Sequence, residues 1–234
     1  MKEMTTSPVF AIVVTIGVYF LSEKLYQRVK FPLLNPVLVS IVALMGLLKG
    51  FDISYEDYQR GTYSINLLLE ASVVALAFPL YQQWALIRDN WKRIMCCMVL
   101  GSTLGIISVL AFSWELGASK QVMLSLVPKS VTTPIAMNVS QVLGGIPPLT
   151  AAVVITVGIF GAAIGVQFLK LMGVRKPESV GLAMGTAAHG LGTARVASMG
   201  GSYSAMGGLA IAINGLLTAL FSPYLVDAFM FLIS

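Results

Sequence analysis

Residues 4–22, 31–48, 94–114, 130–169 and 196–226 contain no charged side chain. Each of these runs approaches or exceeds the roughly 20 apolar residues that cross a hydrocarbon core. Such a chain has few folds open to it, because in lipid every backbone N–H and C=O must find its partner inside the protein. Runs of this length satisfy that demand as helices. The chain is 57% hydrophobic and 11% charged, with a mean hydropathy of +0.85, which excludes an ordinary soluble domain. The expected class is an all-α polytopic membrane protein, a helix bundle.

A formal net charge of +5 raises nucleic acid as a partner in a soluble chain. Here the basic residues fall between apolar runs, where they set orientation, and no nucleic-acid role is expected. Lys24, Arg28 and Lys30 form one loop, Arg88, Lys92 and Arg93 a second, and Lys170, Arg175 and Lys176 a third. All three are expected on the cytoplasmic side of the membrane. The segment 51–61, with Asp52, Glu56 and Asp57, fits the opposite side. Cys96 and Cys97 are adjacent, where a disulfide would be strained, and packing is their expected role. The apolar stretch nearest the first residue lacks a small-residue cleavage pattern before Glu23, so it reads as a membrane helix.

In chain order, a first helix is predicted over 7–21, and a second opens at Asn35-Pro36 and ends near Leu48. A third apolar segment, 65–85, carries Glu70 and is interrupted at Pro79, since an interior proline removes a helical hydrogen bond. A fourth span covers 94–112, with Gly101 and Gly105 at the small-xxx-small spacing of helix packing. The pattern changes after Ala118. Residues 118–127 are long enough for about half a crossing, Pro128-Lys129-Ser130 is not helical, and a half-length helix is announced at Thr133-Pro134 and stopped by Gly144-Gly145. After a full span over 147–172, the next helix meets Gly190 and Gly192, which weaken it, and Thr193 can cap a second piece. The last segment, 205–232, has Asn214 in its interior and Pro223 toward its end.

Two discontinuous helices in the C-terminal half are therefore predicted, and non-helical backbone at membrane depth persists where it lines a cavity. Each break gathers positive charge near a helix start: Lys129 before Thr133-Pro134, and Arg195 after Thr193. An anion, or the carboxylate of Glu70, would offset it. Ser130, Thr132, Thr133 and Thr193 supply hydroxyls suited to a small oxygenated acid. His189, the chain's one histidine, is either a ligand or proton carrier or a satisfied bundle histidine; Asn35 and Asn138 read as cap and packing residues. Paired interrupted helices are a transporter device. Asn35-Pro36 followed by Pro79 loosely parallels Thr133-Pro134 followed by His189-Gly190, which suggests an inverted repeat of residues 1–93 and 94–234 within a single 1–234 membrane domain.

Phe31-Pro32-Leu33-Leu34-Asn35-Pro36, Val74-Ala75-Leu76-Ala77-Phe78-Pro79-Leu80-Tyr81, Pro128-Lys129-Ser130-Val131-Thr132-Thr133-Pro134-Ile135-Ala136 and Gly185-Thr186-Ala187-Ala188-His189-Gly190-Leu191-Gly192-Thr193-Ala194-Arg195 resemble the signatures of the LrgB/CidB family across nearly the whole chain. That resemblance implies an antiholin-like or holin-like regulator of murein hydrolase export and lysis in the bacterial cytoplasmic (inner) membrane, working with a small LrgA/CidA-type membrane protein; a homo-oligomer is also expected. It also implies relatives in pyruvate uptake and a plastidic glycolate/glycerate translocator. The residue chemistry favours a secondary transporter of small monocarboxylates, with protons as a coupling option and Lys129, Ser130, Thr132, Thr133, His189, Thr193 and Arg195 at the substrate. The lysis regulator is the alternative. No enzyme activity, cofactor or metal is expected, since no serine sits in a nucleophile-elbow pattern beside the histidine.

Overall fold

A computed structural model describes residues 7–29, 34, 36–65, 78, 81 and 84–233. Asn35, Glu70 and Pro79 lie outside them, and so does the interruption expected at Pro79. Every regular element described is a helix: α1 (Pro8–Val29), α2 (Pro36–Gly50), α3 (Tyr55–Gly61), α4 (Trp84–Glu115), α5 (Lys120–Leu126), α6 (Thr133–Leu143), α7 (Pro147–Leu171), α8 (Pro177–Ala197) and α9 (Gly201–Ile233). The helices α1, α4, α7 and α9 are long and apolar enough to cross a membrane. Leu100, Leu104 and Phe112 of α4, Phe160 and Phe168 of α7 and Leu220 of α9 are exposed, the arrangement expected of surfaces that meet lipid. The protein is a multi-pass, all-α membrane protein.

Two segments expected as basic loops are helical. Arg28 lies in the last turn of α1, and Arg88, Lys92 and Arg93 lie within α4. Lysine and arginine are good helix formers, so their charge fixes how deep a segment sits and leaves its backbone helical.

Residues 1–75 and 76–234 form two compact units. In the first, Ser54 caps α3 by accepting from the backbone N–H of Asp57 at 3.2 Å, and buried Tyr58 hydrogen-bonds Thr15 of α1 at 2.5 Å.

The second unit is organised around α8, which packs against α7 on one side and α9 on another. Bare glycine backbone makes this possible. A Cβ at Gly185 would run into the Gly207 carbonyl and come within 2.8 Å of the Ala210 Cβ, while one at Gly181 would lie 2.5 Å from the Tyr203 carbonyl. Helix association in lipid relies on such close approach. The remaining core joins Ile94 and Met98 of α4 to Met206 and Leu217 of α9, and Ile106 and Leu110 of α4 to Leu124 of α5 and Val226 of α9. Gly185→Ala is expected to cost about 1–3 kcal/mol through overpacking, read as a lower melting temperature in detergent. Gly190→Ala should leave that temperature level or raise it slightly, because a Cβ there meets nothing.

The helix α6 runs from Thr133 with Pro134 in its first turn, and ends at Gly144, whose φ of 85° is left-handed. The break in α8 differs from the sequence expectation. It lies at Ala188 (φ −129°, ψ 20°) and His189 (φ 40°, ψ −134°), ahead of the two glycines. Gly192 serves packing instead: a Cβ there would come within 2.5 Å of the Met184 carbonyl and 2.7 Å of the Ala188 Cβ. Thr193 does not open a second helix, since α8 continues through it to Ala197. A positive φ on a histidine costs about 1–3 kcal/mol, so the surrounding packing has to hold it.

Candidate functional site: a cavity around Lys129

Between α5 and α6 the chain passes through a compact turn, with the Lys129 N–H donating to the Leu126 carbonyl at 3.1 Å and the Val131 N–H to the Pro128 carbonyl at 3.3 Å. Pro128 and Val131 are buried, and Val131 packs with Ala136 of α6 and Val154 of α7. Anchoring these two residues leaves Lys129 and Ser130 to line a cavity of about 450 Å³. Its other walls include Gly101, Ser102 and Gly105 of α4, Thr186 of α8, and Asn214 and Thr218 of α9. That volume suits a small molecule, and a mainly apolar wall with a few polar groups is the usual make-up of such sites.

Lys129 is the one charged residue in the described lining. Its ammonium donates to the Ser130 hydroxyl at 2.9 Å. The only ion pair among the described residues is the exposed Arg88–Asp89, so no described carboxylate neutralises Lys129. An ammonium held this way in a low-dielectric setting favours an anion beside it.

Asn214 holds the cavity together. It is 2% exposed, and its Nδ2 donates to the Ser130 carbonyl at 3.1 Å and to the Thr186 carbonyl at 3.0 Å. Its Oδ1 accepts from the Ser102 hydroxyl at 2.6 Å. One amide thus ties α4, the Lys129 turn, α8 and α9. The two carbonyls belong to backbone that needs outside partners: one lies in a non-helical turn, the other within a turn of the α8 break.

The sequence candidates separate on this geometry. Lys129 and Ser130 are in the cavity, whereas Thr132, Thr133, His189, Thr193 and Arg195 are not in its lining. Thr132 is the N-cap residue of α6 without a side-chain capping bond, and its hydroxyl is buried and unpartnered. Thr133 opens α6. Thr193 is buried against Gly207, where an added Cβ would meet its Oγ1 at 2.8 Å, and this hydroxyl too is unpartnered. The His189 imidazole points at α7: Nε2 is 2.9 Å from the Val154 carbonyl, and the ring fills space that a Cβ at Gly158 would take, 2.7 Å from Cε1. A carbonyl accepts only, so Nε2 carries the proton. Arg195 is exposed, and Thr193 and Arg195 therefore do not face Lys129 and Thr133 across this cavity.

Sequence reasoning missed Asn214, Ser102 and Thr186 as site residues. An asparagine in the interior of an apolar helix was the available signal. Gly101 and Gly105 also changed meaning. A Cβ at Gly105 meets nothing, and one at Gly101 meets Thr186 only at an ordinary 3.6 Å, so this glycine pair keeps a cavity wall thin instead of drawing helices together. Cys96 and Cys97 are exposed, not core, residues, and Cys97 reaches the cavity.

Fold and site together describe a polytopic helical membrane protein with a cationic chamber of small-molecule size among its helices. The chain belongs to the LrgB-like family, whose model matches residues 15–228. It is 36% identical over 221 residues to the uncharacterized protein YxaC of Bacillus subtilis, covering 94% of this chain and 96% of the relative. It is 36% identical over 226 residues to the antiholin-like protein LrgB of the same species, covering 96% and 98%. The antiholin-like protein LrgB of Bacillus cereus is 35% identical over 220 residues, covering 94% and 96%. No solved structure matches.

Proposed function

We propose that the protein binds a small monocarboxylate, of the pyruvate, glycolate or glycerate type, at Lys129 and carries it across the bacterial cytoplasmic membrane. The carrying observation is the Lys129 ammonium in a chamber of about 450 Å³, without a described carboxylate in the lining. The Ser130 hydroxyl, which accepts from Lys129, keeps its proton for an oxo or hydroxyl oxygen, and the Ser102 and Thr186 hydroxyls, which donate to Asn214 Oδ1 and the Leu182 carbonyl, can accept from a substrate hydroxyl. The interruptions at the Lys129 turn and at Ala188–His189 are of the kind carriers use at their substrate sites. Arg195, exposed and outside the lining, has no direct part. Purified protein in liposomes is expected to take up labelled pyruvate, glycolate or glycerate, and Lys129→Ala to abolish uptake. Uptake unchanged in the variant removes the proposal.

A second reading has its own support, and the comparisons favour it over transport: relatives from Bacillus are named antiholin-like. On this reading the protein restrains murein hydrolase release and lysis through a small partner membrane protein of the LrgA/CidA type. A Lys129→Ala strain separates the two. Transport as the primary activity predicts altered lysis together with lost uptake; regulation through a partner predicts normal lysis in the variant.

A further inference from the structure

A second cavity of about 370 Å³ adjoins the first. It is lined by Arg93 and Cys97 of α4 and by Lys176, Glu178 and Ser179 at the start of α8. Cys97, Ser179 and Leu182 belong to both linings, so the two chambers share a wall there. Along α4, Arg93, Cys97, Gly101 and Gly105 follow one another at four-residue steps, which places them in one row on a single helix face. Arg93 lines the outer chamber, Cys97 both, and the two glycines the inner. On α8 the facing row is Ser179, Ala183 and Thr186. Small and hydroxyl side chains thus line both helices between Arg93 and Lys176 in the outer chamber and Lys129 in the inner. Glu178 offsets one of the two outer cations.

We infer that the outer chamber is an antechamber for small organic anions, which enter between α4 and α8 past Arg93 and Lys176 and pass Cys97 to reach Lys129. The inference rests on the anion-site reading of the inner cavity. Converging positive charge along a low-dielectric passage raises the local anion concentration and the rate of entry. Glu178 tempers this charge, so that the outer chamber attracts an anion without retaining it.

Cys97 reports on the passage directly. In a Cys96→Ser background it is the one remaining thiol, since the chain has 2 cysteines. The rates at which purified protein reacts with the anionic 2-sulfonatoethyl and the cationic 2-(trimethylammonium)ethyl methanethiosulfonates are followed by intact mass, each normalised to a free thiol. The double substitution Arg93→Gln/Lys176→Gln is expected to lower the anionic-to-cationic rate ratio about tenfold, and Glu178→Gln to raise it. Both cations are exposed, so the variants should keep the parent melting temperature, which is checked alongside. Pyruvate is expected to slow labelling of the parent and not of its Lys129→Gln derivative. A ratio indifferent to all three charges overturns the route. A ratio that responds while pyruvate gives no protection leaves the route standing and removes the Lys129 reading on which its purpose rests.

Discussion

Asn214→Leu is expected to lower the stability of the protein by about 2–4 kcal/mol, or about 5–10 °C in melting temperature in detergent. The side chain is buried and makes three hydrogen bonds, to the Ser102 hydroxyl and to the Ser130 and Thr186 carbonyls. Leucine preserves the bulk and removes the partner of all three groups. Ser102 has an escape, because a helical serine can turn back to a carbonyl one turn earlier. The two carbonyls have none, and an unsatisfied buried group costs about 1–3 kcal/mol. Interhelical hydrogen bonds in membranes average closer to 0.6 kcal/mol, which keeps the expected total below a simple sum. Asn214→Asp distinguishes hydrogen bonding from volume: it retains the acceptor for Ser102 and loses both donors, so a loss of similar size is expected. A melting temperature within 1 or 2 °C, on the order of the error of such a scan, would show that the amide is not the tie described.

Lys129→Gln is expected to weaken monocarboxylate binding about thirty- to hundredfold, the equivalent of about 2–3 kcal/mol. A hydrogen bond to a charged partner contributes about 1.5–3 kcal/mol, and in this chamber no second described cation replaces it. The fold should survive the change. Lys129 is half-buried, its one side-chain bond among the described residues is to the neighbouring Ser130, and removing a charge that no described carboxylate neutralises relieves a desolvation cost. A lower affinity at an equal or higher melting temperature is the combined signature expected of a ligand residue, and a purely structural lysine would not give it.

Much of the architecture was legible because the controlling physics is local. Uncharged runs of membrane length become helices, and the start at Thr133-Pro134 and the stop at Gly144 follow from one missing N–H and one left-handed φ. Arg88 to Arg93 misled because charge fixes depth, whereas backbone conformation follows propensity. Gly190 and Gly192 pointed to the right region and the wrong residues. Gly192 is required by the Met184 carbonyl, which lies about two turns back on the far side of the break, and the strained φ falls on His189, whose ring is held by Val154 and Gly158 of another helix. No local rule contains that information. The same applies to Lys129 and Arg195. Which way Arg195 projects depends on the phase of α8 against its partners, which the break resets, and Lys129 is aimed by the buried Pro128 and Val131 of its turn. Asn214 was visible as an anomaly, but its significance lies in two carbonyls distant in sequence.

The most direct test is a calorimetric titration of pyruvate, and of its uncharged twin pyruvamide, into purified wild-type protein and the Lys129→Gln variant. The geometry predicts saturable binding of pyruvate to the wild type, none of pyruvamide, and a Kd weakened about thirty- to hundredfold in the variant. Equal pyruvate affinity in the two proteins, or pyruvamide binding as well as pyruvate, would contradict the assignment of the Lys129 cavity as an anion site.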